Sequence, residues 1–194
     1  MKAKLCLILM IIFITSWYCY RLSGMTYFKS DIDNNYYLVR DVDDKQNAAN
    51  MLAKLKKNMF LVNKFLYDNL NDQKFVSMYH AILQLNKNIS RVVLCETGAS
   101  EQNTSYTINK GDEVILCIRS KDLRSKIYDI NLLMYVVLHE MAHIACDEFG
   151  HTEKFKKIFL FICDTAIKLK LYNKIDFYKY PQIYCGIIIK DSII

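Results

Sequence analysis

Leu138–Phe155 reads LHEMAHIACDEFGHTEKF, and the spacing of its histidines decides how the rest of the chain is read. His139 and His143 lie four residues apart. On a helix that spacing places both imidazoles on one face, one turn apart, where they can share an ion. Glu140, beside the first histidine, is offset toward a water on that ion and can take its proton. Zinc accepts imidazole nitrogens at about 2.0–2.1 Å, and a catalytic site uses three protein ligands and one water. His151 can be the third ligand, because Gly150 is a suitable helix stop that lets the chain return. Asp147, Glu148 and Glu153 are its rivals, and a surface histidine is the plain alternative. The chain has 4 histidines, so three of them fall within thirteen residues. A satisfied core pair is the bland reading of His139 and His143. It fits poorly, since imidazoles and a carboxylate on so apolar a helix are costly without a partner. The remaining histidine, His80, reads as structural.

Outward from the motif, the pattern alternates between strands and helices. A nearly all-apolar helix is expected from Asp129 through the motif toward Phe149. A helix capped by Thr152 follows, running to about Tyr172 with Phe155, Ile158, Phe159, Ile162, Ala166 and Leu169 on its inner side. Upstream, Tyr36–Val42 reads as a strand, and Asp43 and Asp44 can cap a helix to about Leu70. A second helix is expected at about Phe75–Leu85. Arg91–Cys95, Ser105–Ile108 and Glu113–Ile118 read as strands, the last two joined as a hairpin by Asn109-Lys110-Gly111-Asp112. Glu113–Ile118 is a candidate edge strand for holding an extended substrate, with an ordinary sheet strand as the plain alternative. Gly186–Lys190 is a short final strand. The class is α+β, with one domain over residues 36–194.

Residues 5–20 read LCLILMIIFITSWYCY, with Lys2 and Lys4 before and Arg21 after. The stretch carries no charge, and Trp17, Tyr18 and Tyr20 gather at its downstream end, as they would at a membrane interface. The small-residue pattern of a signal cleavage site is weak here. The expectation is therefore an N-terminal transmembrane helix anchoring the protein in a membrane (residues 1–22), with a linker over 23–35. A cleaved signal or a buried helix are the alternatives. The location expected is single-pass membrane, in a host or virion membrane. Sequons at Asn88 and Asn103 are expected by chance in a chain this rich in asparagine.

Composition narrows the rest. The chain of 194 residues is 53% hydrophobic and 24% charged, the balance of a folded protein. The net charge of +6 comes from lysines spread over helix-like stretches and gives no strong nucleic-acid signal. The 7 cysteines contain no CxxC pair, so a cysteine zinc knuckle is unsupported. Cys95 and Cys117 could pair, although buried free thiols are the default. Transition-state stabilisation calls for a further Tyr, His or Arg, and among the 14 tyrosines Tyr178, Tyr180 and Tyr184 stand unranked.

The run 138–155 resembles the WLM and SprT-like group of zincin metallopeptidases, in which an HExxH helix is followed by a third histidine in a G-H-x-x-x-F setting. Gly150, His151 and Phe155 match that setting residue by residue. The pattern from VILCIRSKD (115–123) to IYCGIIIKDSII (183–194) is similar to small WLM-type proteins of large DNA viruses. The resemblance implies a zincin-like fold with a small mixed or antiparallel sheet packed on the HExxH helix. It implies zinc (Zn2+) on His139, His143 and His151, Glu140 as general base, and a protein or peptide substrate. Some members of that group act on DNA-bound proteins, a role that the hydrophobic N-terminus here argues against. The function expected is a membrane-anchored zinc metallopeptidase. Its rivals are a non-enzymatic protein whose zinc is closed by a fourth ligand, such as Cys146 or Asp147, and a protease of DNA-bound proteins.

Overall fold

The computed structural model describes residues 2–22, 24–99, 101–122, 124–191 and 193, with the side chains of 6–16 in the first helix. That helix, α1 (Lys2–Leu22), precedes strands β1 (Met25–Lys29) and β2 (Tyr36–Arg40) and the long helix α2 (Lys45–Asp68). A 3₁₀ turn (Gln73–Met78) leads into α3 (Tyr79–Ile89), then β3 (Val93–Glu96), β4 (Tyr106–Ile108) and β5 (Glu113–Leu116). Helices α4 (Ile130–Ala145) and α5 (Glu153–Lys168) follow, and strands β6 (Gln182–Tyr184) and β7 (Ile187–Ile189) close the chain. The five helices and the mixed sheet make one α+β domain, the class read from the sequence.

The main sheet has the order β1-β2-β3-β5-β4. β2, β3 and β5 run parallel, and β1 and β4 are antiparallel additions at either side. α4 lies at the centre of the core, buried on almost every face from Leu132 to Ala145. Asp129 starts it by accepting the Asn131 backbone N–H at 2.8 Å. α2 carries the expected 3.6-residue pattern, burying Ala49, Leu52, Leu55, Met59, Val62 and Leu66.

The membrane anchor expected over residues 5–20, and with it the single-pass membrane location, is overturned. Among the described residues no helix is long and apolar enough to cross a membrane. The uncharged run holds 16 residues, about 24 Å of helix at about 1.5 Å each. A hydrocarbon core is about 30 Å thick. The side chains of Trp17, Tyr18 and Tyr20, on which the interface reading rested, lie outside the described ones. The expected linker over 23–35 also contains structure, since β1 pairs with β2 along its whole length, Met25 opposite Arg40 through Lys29 opposite Tyr36.

Two further expectations change. Glu113–Leu116 is not an edge strand: it lies between β3 and β4, and β4 ends the sheet. The hairpin turn was read correctly, but of its two strands the shorter and more polar one faces outward. The disulfide joins Cys117 to Cys185, while Cys95 is buried and takes no part in it. Cys95 and Cys117 stand in or just beyond neighbouring parallel strands, and the C-terminal hairpin folds back over the end of β5 to offer Cys185 instead.

An ion cluster fixes the sheet where β2, β3 and the segment after β5 meet. Glu96 accepts from the Arg119 guanidinium at 2.6 Å and from the Arg40 backbone N–H at 2.8 Å, and Arg119 also pairs with Asp44. Glu96 and Arg119 are almost wholly buried. Replacing Glu96 by Ala should strip the buried Arg40 of its ion pair and leave Arg119 with Asp44 alone, at a cost of roughly 3–5 kcal/mol. Urea unfolding of the variant beside the native chain measures it.

Candidate metal centre

The site is built between α4 and strand β4. α4 carries His139, Glu140 and His143 into a cavity of about 730 Å³, and β4 forms the opposite wall with Thr107. Two contacts set the pair in register. The Thr107 hydroxyl donates to Glu140 Oε2 at 2.7 Å. Lys110 Nζ donates to the carbonyls of Cys146 at 2.8 Å and Glu148 at 2.6 Å. The strand meets the helix at Thr107, and the hairpin turn beyond it meets the segment after the helix at Lys110.

Lys110 also explains where α4 ends. The sequence predicts a helix running toward Phe149, but it stops at Ala145, with Cys146 extended at φ −91°, ψ 130°. The Lys110 ammonium takes the carbonyls of the segment beyond, which leaves the helix early and turns back. Lys110 reaches that segment from the hairpin turn, where Asn109 (φ 48°) and Lys110 (φ 57°) are both left-handed. Gly111 is required behind it: a Cβ there would lie 3.2 Å from Ile144 Cγ2, on a backbone at φ +116°. Gly150, at φ +77°, then delivers His151.

The three imidazoles converge. His143 Nε2 lies 3.2 Å from His139 Nε2 and 3.2 Å from His151 Nε2, and the His139–His151 separation is 3.0 Å. A ring nitrogen is either a donor or an acceptor, so three mutually close ones always include one contact of like with like. A shared cation removes that conflict. Tetrahedral zinc with bonds of about 2.05 Å holds its ligand nitrogens about 3.3 Å apart, close to these separations. The donor set therefore fits zinc.

Burial and mutual repulsion keep the His139 and His143 imidazoles neutral. Burial, then the charges of His143 and His151, push His139 down to about 3. Burial, then His151 and Lys110, push His143 down to about 4. Neutral imidazole is the form that binds a metal. Glu140 is buried and pushed up to about 7 by desolvation, against the Thr107 hydrogen bond. The Phe155 ring lies under all three histidines, with centroids 5.0, 4.3 and 4.9 Å from His139, His143 and His151. That contact gives the phenylalanine of the G-H-x-x-x-F setting its physical task, which is to orient the ligands from an apolar floor.

The rival ligands are engaged elsewhere. Asp147 pairs with Lys154 at 2.6 Å, Glu153 pairs with Lys156 at 2.7 Å, and Glu148 accepts from Thr152. Among the described residues, the histidine, cysteine and carboxylate groups close enough to share one ion are His139, His143 and His151. His80 is exposed on α3, its ring against Tyr79 at 5.7 Å. Of the three tyrosines left unranked, Tyr184 lines the cavity, while Tyr178 and Tyr180 are 88% and 58% exposed. The Tyr184 hydroxyl lies 2.6 Å from Ser105 Oγ, which in turn accepts from the Cys117 backbone N–H at 3.0 Å. Thr107, Lys110 and Ser105 were missed by the sequence reading. Their signal was only that they flank a hairpin turn.

The chain is 41% identical to an uncharacterized protein of Acanthamoeba polyphaga mimivirus over 172 residues, which cover 89% of this chain and 86% of that protein. An uncharacterized protein of Invertebrate iridescent virus 6 is 32% identical over 152 residues, 75% of this chain and 80% of that protein. One of Invertebrate iridescent virus 3 is 46% identical over 74 residues, 38% of this chain and 45% of that protein. No protein-family model and no solved structure matches the chain.

Two outcomes follow from this geometry. Lys110→Met removes both bonds to the loop that carries His151, and zinc affinity should fall about 10–100-fold in a competition titration with a fluorescent chelator. In the metal-free chain, His139 and His143 refuse protons that the unfolded chain accepts below about pH 6.5. Stability is therefore complete above that pH and is lost as pH falls toward 4. His139 contributes about 2 kcal/mol of the loss at pH 5, and the less buried His143 contributes less. Thermal unfolding in chelator at pH 7.5 and pH 5 measures it, and added zinc should raise Tm at pH 7.5 far more than at pH 5.

Proposed function

The chain belongs to the family of viral proteins that includes these mimivirus and iridescent-virus relatives, and from that premise we propose that it is a zinc-dependent metallopeptidase of the WLM and SprT-like kind. The observation that carries the reading is the convergence of His139, His143 and His151 within 3.2 Å of one another, beside a buried carboxylate in an open cleft. Zinc on that triad supplies a Lewis acid that polarises a carbonyl and lowers the pKa of water toward about 7.

The protein's own groups supply the remainder. Glu140 is the general base. A carboxyl pushed up to about 7 can take a proton from water and return it to a leaving amine near neutral pH. The Thr107 hydroxyl fixes the orientation of that carboxyl. β4, the last strand of the sheet, offers an extended peptide a backbone to pair with beside the triad. The substrate is a protein or peptide in extended form.

Two measurements test the reading. Elemental analysis should find one zinc per chain, and the zinc-loaded protein should cleave a quenched-fluorescence peptide pool. Glu140→Gln should keep the zinc and lose roughly 10²–10⁴-fold in rate. A chain that takes up no zinc, or a Glu140→Gln variant as active as the native one, would sink it.

A further inference from the structure

The cleft has two unlike ends. The chain through strand β4 passes from Ser105, beside Tyr184, past Thr107, beside Glu140, into the turn at Lys110, beside the loop that carries His151. At the Lys110 end the wall is basic. At the Ser105 end it is apolar, made by Tyr135 and Val136 of α4 and by Tyr184, Ile187 and Ile189 of the β6–β7 hairpin. Tyr135, Val136 and Tyr184 are buried, and Ile187 is 49% exposed at the mouth.

This hairpin is no part of the main sheet. β6 and β7 pair only with each other, and a lone two-stranded hairpin is marginal in water. Its position is set by three bonds around one residue pair. Cys185 is joined to Cys117, just beyond β5, and its backbone N–H donates to the Tyr128 hydroxyl at 2.8 Å. Tyr184 is held to Ser105 at 2.6 Å. Because Ser105 also accepts from the Cys117 backbone N–H, these contacts close a ring linking the hairpin, β5 and the start of β4.

We propose that the β6–β7 hairpin is the specificity wall of the cleft, latched by the Cys117–Cys185 disulfide, and that it selects extended peptides with a bulky aliphatic or aromatic side chain on one side of the scissile bond. The proposal rests on the peptidase reading for the occupant being a peptide. A leucine or phenylalanine side chain at this end is covered by Tyr184, Ile187 and Ile189. An aspartate there would give up water without a charged partner. The discrimination expected from such a wall is at least about tenfold. The latch acts by holding the wall in place, so opening the disulfide should weaken the preference.

The test separates binding from hydrolysis. Chelator-treated native chain is titrated into two fluorescently labelled heptapeptides that differ only in a central leucine or aspartate, and anisotropy is read. The leucine peptide should bind at least about tenfold more tightly. Ile187→Asp, with Ile187→Ala as the milder variant, should remove most of that ratio while circular dichroism stays native. Mild reduction, and the Cys117→Ser/Cys185→Ser pair, should shrink it. Equal binding of the two peptides by native chain overturns the proposal. So does a ratio that survives both Ile187→Asp and reduction. A zinc-loaded chain that cleaves nothing while the metal-free ratio stands would refute the peptidase reading and leave the wall supported.

Discussion

Helix α4 and strand β4 advance side by side, and the chemistry of this chain depends on that alignment. Were the strand shifted by one residue, Thr107 would turn away from the helix, because neighbouring strand side chains point to opposite faces. Glu140 would then be a buried carboxylate with no hydroxyl to hold it. Lys110 would lose the two carbonyls that end α4, and with them the turn that brings back His151. Register, loop path and ligand set are thus one constraint seen at three places. The turn that sets it is tight because Gly111, at φ +116°, lets the hairpin approach Ile144 so closely that a Cβ would lie 3.2 Å from its Cγ2.

The same alignment resolves the cost of putting polar groups on the most apolar helix in the chain. The histidines and Glu140 all face one cavity, while Leu138, Met141, Ala142 and Ile144 on the other faces are fully buried. Phe155, on the next helix, closes the floor beneath the imidazoles and helps keep His139 and His143 dry enough to stay neutral. A wetter floor would let His139 charge and repel its partners. The apolar packing of α5 against α4 is therefore part of the ligand chemistry and also part of the core.

The histidine cluster and its helix were legible because their signals are local. A four-residue spacing on an apolar run, then a glycine, is read within one stretch of chain. α2 was legible for the same reason, through its periodicity. What could not be read depends on partners far away in sequence. The early end of α4 needs Lys110, thirty-six residues upstream. The choice of β4 over β5 as the last strand is settled by β3 pairing with β5, and nothing within either strand records it. Cys117 has its partner sixty-eight residues later. The N-terminal helix misled through length, since composition resembled a membrane span while the uncharged run stopped about 6 Å short of one.

The structure also bears on whether the ion would serve chemistry or only brace the fold. A structural zinc site is closed by four protein ligands, and a catalytic one keeps a position open to the solvent side. The groups near enough in sequence to close this site are turned to other tasks. Cys146 is buried at the end of α4, and it does not join the group of residues close enough to share the ion. Asp147 and Glu153 are paired with lysines, and Glu148 holds the Thr152 hydroxyl. Each of these bonds braces the loop in a form that presents His151 alone. The cavity side of the triad is bordered instead by Glu140 and Tyr184, one able to move a proton at neutral pH and the other carried on a latched wall. Bracing needs neither a base at the ion nor a shaped cleft beside it. Hydrolysis needs both, and that difference supports the proposed metallopeptidase reading over a structural zinc site.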